Sequence, residues 1–163
     1  MIYIDGDGPL QDFARWMEEN TIPHGYDLKG TEEMFHKKID EIFLSSPNAK
    51  YLFYFYKMYC NDKENVRVLT AVGDHWPNIK IKRQAKKNKM LALYRLGFAY
   101  DHIIVVDTGS DKIKYALNEE NEPNILYDDK WSTVKRWEEA GGFGFFVPEC
   151  YLRYEDAGRV SVK

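Results

Sequence analysis

Five short apolar runs recur along the chain with helical segments between them, and this alternation restricts the fold more than any other feature. The runs are MIYI (1–4), NVRVLTAV (65–72), HIIVVD (102–107), NILYD (124–128) and FGFFV (143–147). The central ones are almost unbroken in apolar residues, the pattern of strands covered on both faces of a sheet. Helical spacing occupies 10–19, 31–44, 49–60, 84–96, 111–117 and 131–140. Strands alternating with helices predict βαβ units around a parallel sheet. Gly97 after LALYRL and Gly141-Gly142 after VKRWEEA stand where a left-handed residue closes a helix. Thr31, ahead of EEMFHKKIDEIF, is a candidate N-cap. About 60 residues separate the first run from the second, against roughly 30 for a simple βαβ unit. The surplus, approximately residues 11–46, is expected to lie over the sheet as a small helical cap.

A chain of 163 residues suits one domain with such an insertion. Its formal net charge of -3 gives no global sign of a nucleic-acid or membrane-surface binder. Cys60 and Cys150 fit neither a metal-finger spacing nor a disulfide scaffold and read as buried or half-buried thiols in a reducing compartment. Neither a basic-then-apolar leader nor an apolar run of membrane-spanning length occurs, so the expectation is a cytoplasmic protein.

Ligands of open parallel sheets bind outside the carboxyl ends of the strands. The first run ends in Asp5-Gly6-Asp7-Gly8, the second in Leu69-Thr70-Ala71, the fourth in Asp128-Asp129. Singly, DGDG is commonly a turn, and an acidic pair before a helix is commonly a cap. An EF-hand loop is excluded because no Glu stands at its twelfth position. Together, four carboxylates and a hydroxyl at one edge would repel without a counter-charge. Mg²⁺ fits, because it takes hard oxygen ligands and shares them with a substrate phosphate. Glycines beside Asp5 and Asp7 let backbone N–H groups approach an anion.

Asp5-Gly6-Asp7-Gly8-Pro9-Leu10, Val68-Leu69-Thr70-Ala71, Lys89 and Ile125-Leu126-Tyr127-Asp128-Asp129 resemble the four motifs of the haloacid dehalogenase (HAD) superfamily of phosphohydrolases. With Arg136-Trp137-Glu138-Glu139-Ala140-Gly141-Gly142, the chain is similar to the 5'(3')-deoxyribonucleotidase group and its bacterial and phage relatives. The resemblance implies a Rossmann-like three-layer sandwich, a central parallel sheet of about five strands, and hydrolysis of (deoxy)nucleoside monophosphates through an aspartyl-phosphate. Asp5 would be the nucleophile and Asp7 the general acid, then base. Thr70 would hold a phosphate oxygen, and Lys89 would neutralise charge and orient Asp5. Asp5, Asp7 through its main-chain carbonyl, Asp128 and Asp129 would hold the Mg²⁺. Asp107, Asp111 and Lys112 would shape the rim.

Two positions depart from that pattern. Pro9 stands where relatives carry Thr or Val, and is expected to push Gly8 toward extended geometry. Thr133 stands where they often carry Asn. Pro9 also motivates an alternative, a catalytically degenerate fold that binds phosphate or nucleotide without turnover.

Gly6 and Ala71 would lie against the substrate, and Phe13, Trp16 and Trp76 are candidates to stack on a base or, equally, core residues. His75 could assist binding or be a plain loop histidine. Residues 80–89 hold six cations in ten positions. A solvated helix face is the ordinary reading, and a phosphatase acting on polynucleotide ends is the other. The expected partner is a small phosphomonoester, with a homodimer left open.

Overall fold

In the computed structural model, which describes residues 1–21, 24, 25 and 27–148, the five apolar runs become five parallel strands. They are β1 (Ile2–Ile4), β2 (Val66–Ala71), β3 (Ile103–Val106), β4 (Ile125–Asp128) and β5 (Phe143–Phe146), ordered β3-β2-β1-β4-β5. Parallel neighbours need crossovers, and helices supply most of them: α1 (Phe13–Thr21), α2 (Leu28–Lys37), α3 (Leu52–Asn61), α4 (Ile79–Arg95) and α5 (Trp131–Glu139). A 3₁₀ segment, Gly109–Tyr115, precedes β4. The result is a Rossmann-like α/β fold.

Strand periodicity divides the core in two. Ile4, Val66 and Val68 face a cluster containing Phe55 and Tyr59 of α3 and Ile81, Ala85 and Leu93 of α4. Tyr3, Leu69 and Leu126 face Trp137 of α5 and Ala116. β5 is the exception to double burial, for Phe143, Phe145 and Phe146 of this edge strand are exposed.

Segment 11–46 contains α1, α2 and a run of turns. Phe13, Trp16, Met34, Phe35 and Phe43 join the same cluster as Ile4 and Val68. Its first helix-entry signal lies four residues earlier than expected. Asp27, not Thr31, caps α2, accepting from Gly30 N at 2.8 Å, while the Thr31 hydroxyl donates to the Asp27 carbonyl at 2.9 Å inside the first turn. α4 likewise starts before residue 84, because Asn78 caps it by accepting from Ile81 N at 3.0 Å. Apolar periodicity could not reveal that turn, since Lys80, Lys82 and Arg83 occupy it. Cys60 is exposed, contrary to expectation, and Cys150 lies outside the described residues. No helix among the described residues is long and apolar enough to cross a membrane.

Register places the site. Ile4 lies opposite Val68 of β2 and Tyr127 of β4. One residue further along, Asp5 and Asp128 stand side by side on neighbouring strands.

Candidate active site

Asp5 is buried at 6% exposure, and its Oδ1 accepts from Gly6 N at 2.7 Å. Oxygens of Asp5, Asp128 and Asp129 all come within 4.8 Å of one another. Gly8 makes that approach possible. Its φ is 95°, and a Cβ there would lie 2.3 Å from the Asp129 carboxyl carbon. Pro9 therefore does not drive Gly8 into extended backbone, because glycine can take the positive φ that this packing requires. The Gly8 N–H donates to the Gln11 carbonyl at 2.8 Å, closing the loop.

The counter-charge in this cluster is Lys112, the residue the sequence reading left at the rim. It is 3% exposed, and its Nζ lies 2.9 Å from Asp5 Oδ1 and 2.7 Å from Asp128 Oδ2. Burial alone would lower Lys112, but Asp5 and Asp128 hold its ammonium above the ordinary value. Burial, helped by Asp5, pushes the Asp128 carboxyl up to about 6. The same effects, with Asp128 adding to them, push Asp129 up to about 7. Three carboxyl groups face one ammonium here, an imbalance that a divalent cation would offset. The hard-oxygen donors suit Mg²⁺.

Lys89, expected to orient Asp5, contacts a different acid. Its Nζ lies 2.6 Å from Asp7 Oδ2 and 2.5 Å from the Ala71 carbonyl oxygen. Asp7 thus offers no side-chain oxygen to the three-carboxylate cluster. Burial raises its carboxyl, with Lys89 pulling the other way. Two buried oxygens here have no partner, Asp7 Oδ1 and Thr70 Oγ1. Thr70 Oγ1 would be 2.9 Å from a Cβ at Gly6, so the missing side chain keeps the hydroxyl open toward the loop. A buried hydroxyl without a partner costs about 1–3 kcal/mol and is ready to donate to an incoming anion.

Phe13 and Trp76 are not open walls. They are 9% and 8% exposed, with ring centroids 6.4 Å apart, and Phe43 lies 4.1 Å from Phe13 and 5.9 Å from Trp76. Trp76 Nε1 is also spent on the Val72 carbonyl at 2.9 Å. Both serve the core that joins the 11–46 segment to the sheet. Trp16 stacks on Phe13 in that core. His75 is the exposed member of this group, its imidazole held below the ordinary value by burial and by Lys89. Ala71 contributes a carbonyl to Lys89 and nothing further that the structure ties to a ligand. Lys112 had one signal available in the sequence: a lysine in the last crossover before the acidic strand, four residues ahead of Ala116, which is buried.

No protein-family model matches the chain, and no curated protein is detectably similar to it in sequence. Among solved structures, the chain is similar to one described as a hydrolase from Streptococcus pneumoniae TIGR4. The two share 9% sequence identity at a TM-score of 0.50, over 99% of this chain and 98% of the other. The likeness runs the full length and concerns the fold, a Rossmann-like α/β layer structure.

Proposed function

We propose that the protein is a Mg²⁺-dependent phosphohydrolase of the HAD type, acting on nucleoside or deoxynucleoside monophosphates. The observation that carries this reading is Asp5 at the tip of β1, within 4.8 Å of Asp128 and Asp129 and flanked by Lys112. The unpartnered Thr70 hydroxyl supports it. The hydrolase description of the structural neighbour agrees with its general class.

Asp5, Asp128 and Asp129 would hold the metal ion, which supplies charge neutralisation at the phosphoryl group. The remaining work falls to side chains. A carboxylate oxygen of Asp5 bonds to phosphorus as the ester P–O bond breaks, and a proton on Asp7 goes to the departing sugar oxygen. Asp7 then takes a proton from water as the water oxygen bonds to phosphorus and the aspartyl P–O bond breaks. Free phosphate leaves, and both acids return to their starting states. Thr70 donates to a phosphate oxygen, and Lys112 bridges Asp5 and Asp128 and holds them in place. Phosphate release from a panel of nucleotides, sugar phosphates and 3'-phosphorylated oligonucleotides with Mg²⁺ tests the reading. No release from any ester would end it.

One observation favours a second substrate class, polynucleotide ends. Lys80, Arg83, Lys87 and Arg95 of α4 are exposed and, at ~100° per residue, fall on one outward stripe. Among the described residues none forms an ion pair, whereas Lys82 meets Asp74 at 2.6 Å and Lys86 meets Asp107 at 3.9 Å. Preference for oligonucleotides over mononucleotides, with a steep loss at higher salt, would select this class.

A further inference from the structure

Burying an ammonium group costs several kcal/mol unless partners replace its water. Two lysines among the described residues are buried, Lys112 and Lys89. Lys112 meets two carboxylates of the three-acid cluster. Lys89 is 0% exposed, sits on the opposite side of the site and has one carboxylate, Asp7. Its surroundings take up two of its three hydrogen-bond donors and enclose the third side. An ammonium has three donors: one goes to Asp7 Oδ2, one to the Ala71 carbonyl oxygen, and the charge lies 4.6 Å from the Phe43 ring centroid. The aromatic face takes up the side that no oxygen occupies. A lysine so enclosed has little left for a phosphate.

The consequence falls on Asp7. Its Oδ2 is anchored, while Oδ1 is buried and without a partner. We infer that Lys89 is a positioning residue for Asp7: by occupying Oδ2 it fixes the carboxyl rotamer and leaves Oδ1 as the oxygen that carries the proton to and from the reacting centre. Lys89 also ties the end of β2, at Ala71, to the loop that follows β1, so the acid is set relative to both strands. This rests on the phosphohydrolase reading above. It gives Lys89 a task distinct from that of Lys112.

Leaving-group chemistry tests it. An alkoxide needs the proton from Asp7, whereas p-nitrophenolate leaves without one. Lys89→Met is therefore expected to lower kcat/KM for a deoxynucleoside 5'-monophosphate by about 10²-fold, the low end of a general-acid contribution. For p-nitrophenyl phosphate, kcat/KM, which covers only the steps through leaving-group departure, should stay within about threefold; the later hydrolysis of the aspartyl-phosphate, where Asp7 acts as base, is common to both esters. Lys89→Gln, which keeps a donor to Oδ2 without the charge, should recover part of the alkyl-ester rate. In an Asp7→Asn background, neither substitution should slow the alkyl ester further, since residues acting as a unit are not additive.

Equal loss of kcat/KM on both esters in a variant whose melting transition is intact would overturn the assignment, because it would put Lys89 on the phosphate or on the nucleophile. Undiminished alkyl-ester turnover, or additive loss with Asp7→Asn, would also overturn it. If Lys89→Met does not fold, Lys89→Gln and its double variant with Asp7→Asn give the same decision. Failure of the underlying reading is separate, since the wild-type protein would then release phosphate from neither ester.

Discussion

Lys112 and Lys89 divide the carboxyl edge of the sheet into halves of different character. Around Lys112, the carboxyl groups of Asp5, Asp128 and Asp129 outnumber the ammonium three to one. Around Lys89, one carboxyl group meets one ammonium, with a carbonyl and an aromatic ring completing the shell. On the reading proposed above, the first half would have oxygens to share with a cation. The second holds an unpartnered carboxyl oxygen and hydroxyl instead. On that reading the four acids at this edge separate into a proposed cation-holding set and a proposed proton-handling residue.

The largest effect should come from the centre of the first half. Asp5→Asn removes the proposed nucleophile and is expected to lower phosphate release by ~10³-fold or more, for every ester alike. Release at a wild-type rate would remove Asp5 from the mechanism. Lys112→Met strips the counter-charge from two buried carboxylates, and breaking a buried pair from one side typically costs about 3–5 kcal/mol. Its activity should fall on aryl and alkyl esters to the same extent, in contrast to Lys89→Met. A chemical melt of the variant with and without Mg²⁺ should show the metal recovering part of the loss. If Lys112→Met discriminated between leaving groups, the division between the halves would be wrong.

The same contrast explains how much could be read in advance. Strand positions and order of chemistry were legible because largely apolar runs lead into polar residues: Asp5 follows β1, Thr70 is the penultimate residue of β2 and Asp128 ends β4. The partners of the two lysines were not: Lys89 was expected to orient Asp5, and Lys112 to shape the rim. Lys89 lies in a run of cations, and only its helical spacing from Ile81 and Ala85 distinguishes the one lysine that α4 turns inward. Lys112 lies in a short 3₁₀ segment whose three-residue turns obscure helical periodicity. Both meet their partners across long sequence separations, Lys89 with Asp7 and Lys112 with Asp128, so only the strand order reveals them. Phe13 and Trp76 show the converse. Aromatic residues near a site look like pocket walls until their neighbours Phe35 and Phe43 are seen to cover them.

A smaller change tests the geometry of the cation-holding half without altering its charge. Gly8→Ala would force φ away from 95° or drive a methyl group into the Asp129 carboxyl. Strain of this kind costs on the order of 1–3 kcal/mol. Because the clash falls on Asp129, the concentration of Mg²⁺ giving half-maximal activity should rise several-fold, while the rate at saturating Mg²⁺ falls less. An unchanged Mg²⁺ requirement would mean that Asp129 lies outside the metal shell.

The smallest effect is on stability, and its sign follows from the raised carboxyls. Asp128 and Asp129 titrate near 6 and 7 in the fold, above the ordinary aspartate value of 3.8. Between pH ~4 and ~7 the folded state therefore binds more protons than the unfolded chain, and metal-free protein should lose stability as pH rises through that window. A bound divalent cation offsets the repulsion that causes the shift. Added Mg²⁺ should consequently raise Tm by a few degrees at pH 7.5 and by less at pH 5, where protons already occupy the carboxyls and compete with the metal. Asp129→Asn should remove most of that difference between the two pH values. Asp7 stands outside the three-carboxyl cluster, so an Mg²⁺ shift that survived in Asp129→Asn and vanished in Asp7→Asn would place the cation in the wrong half.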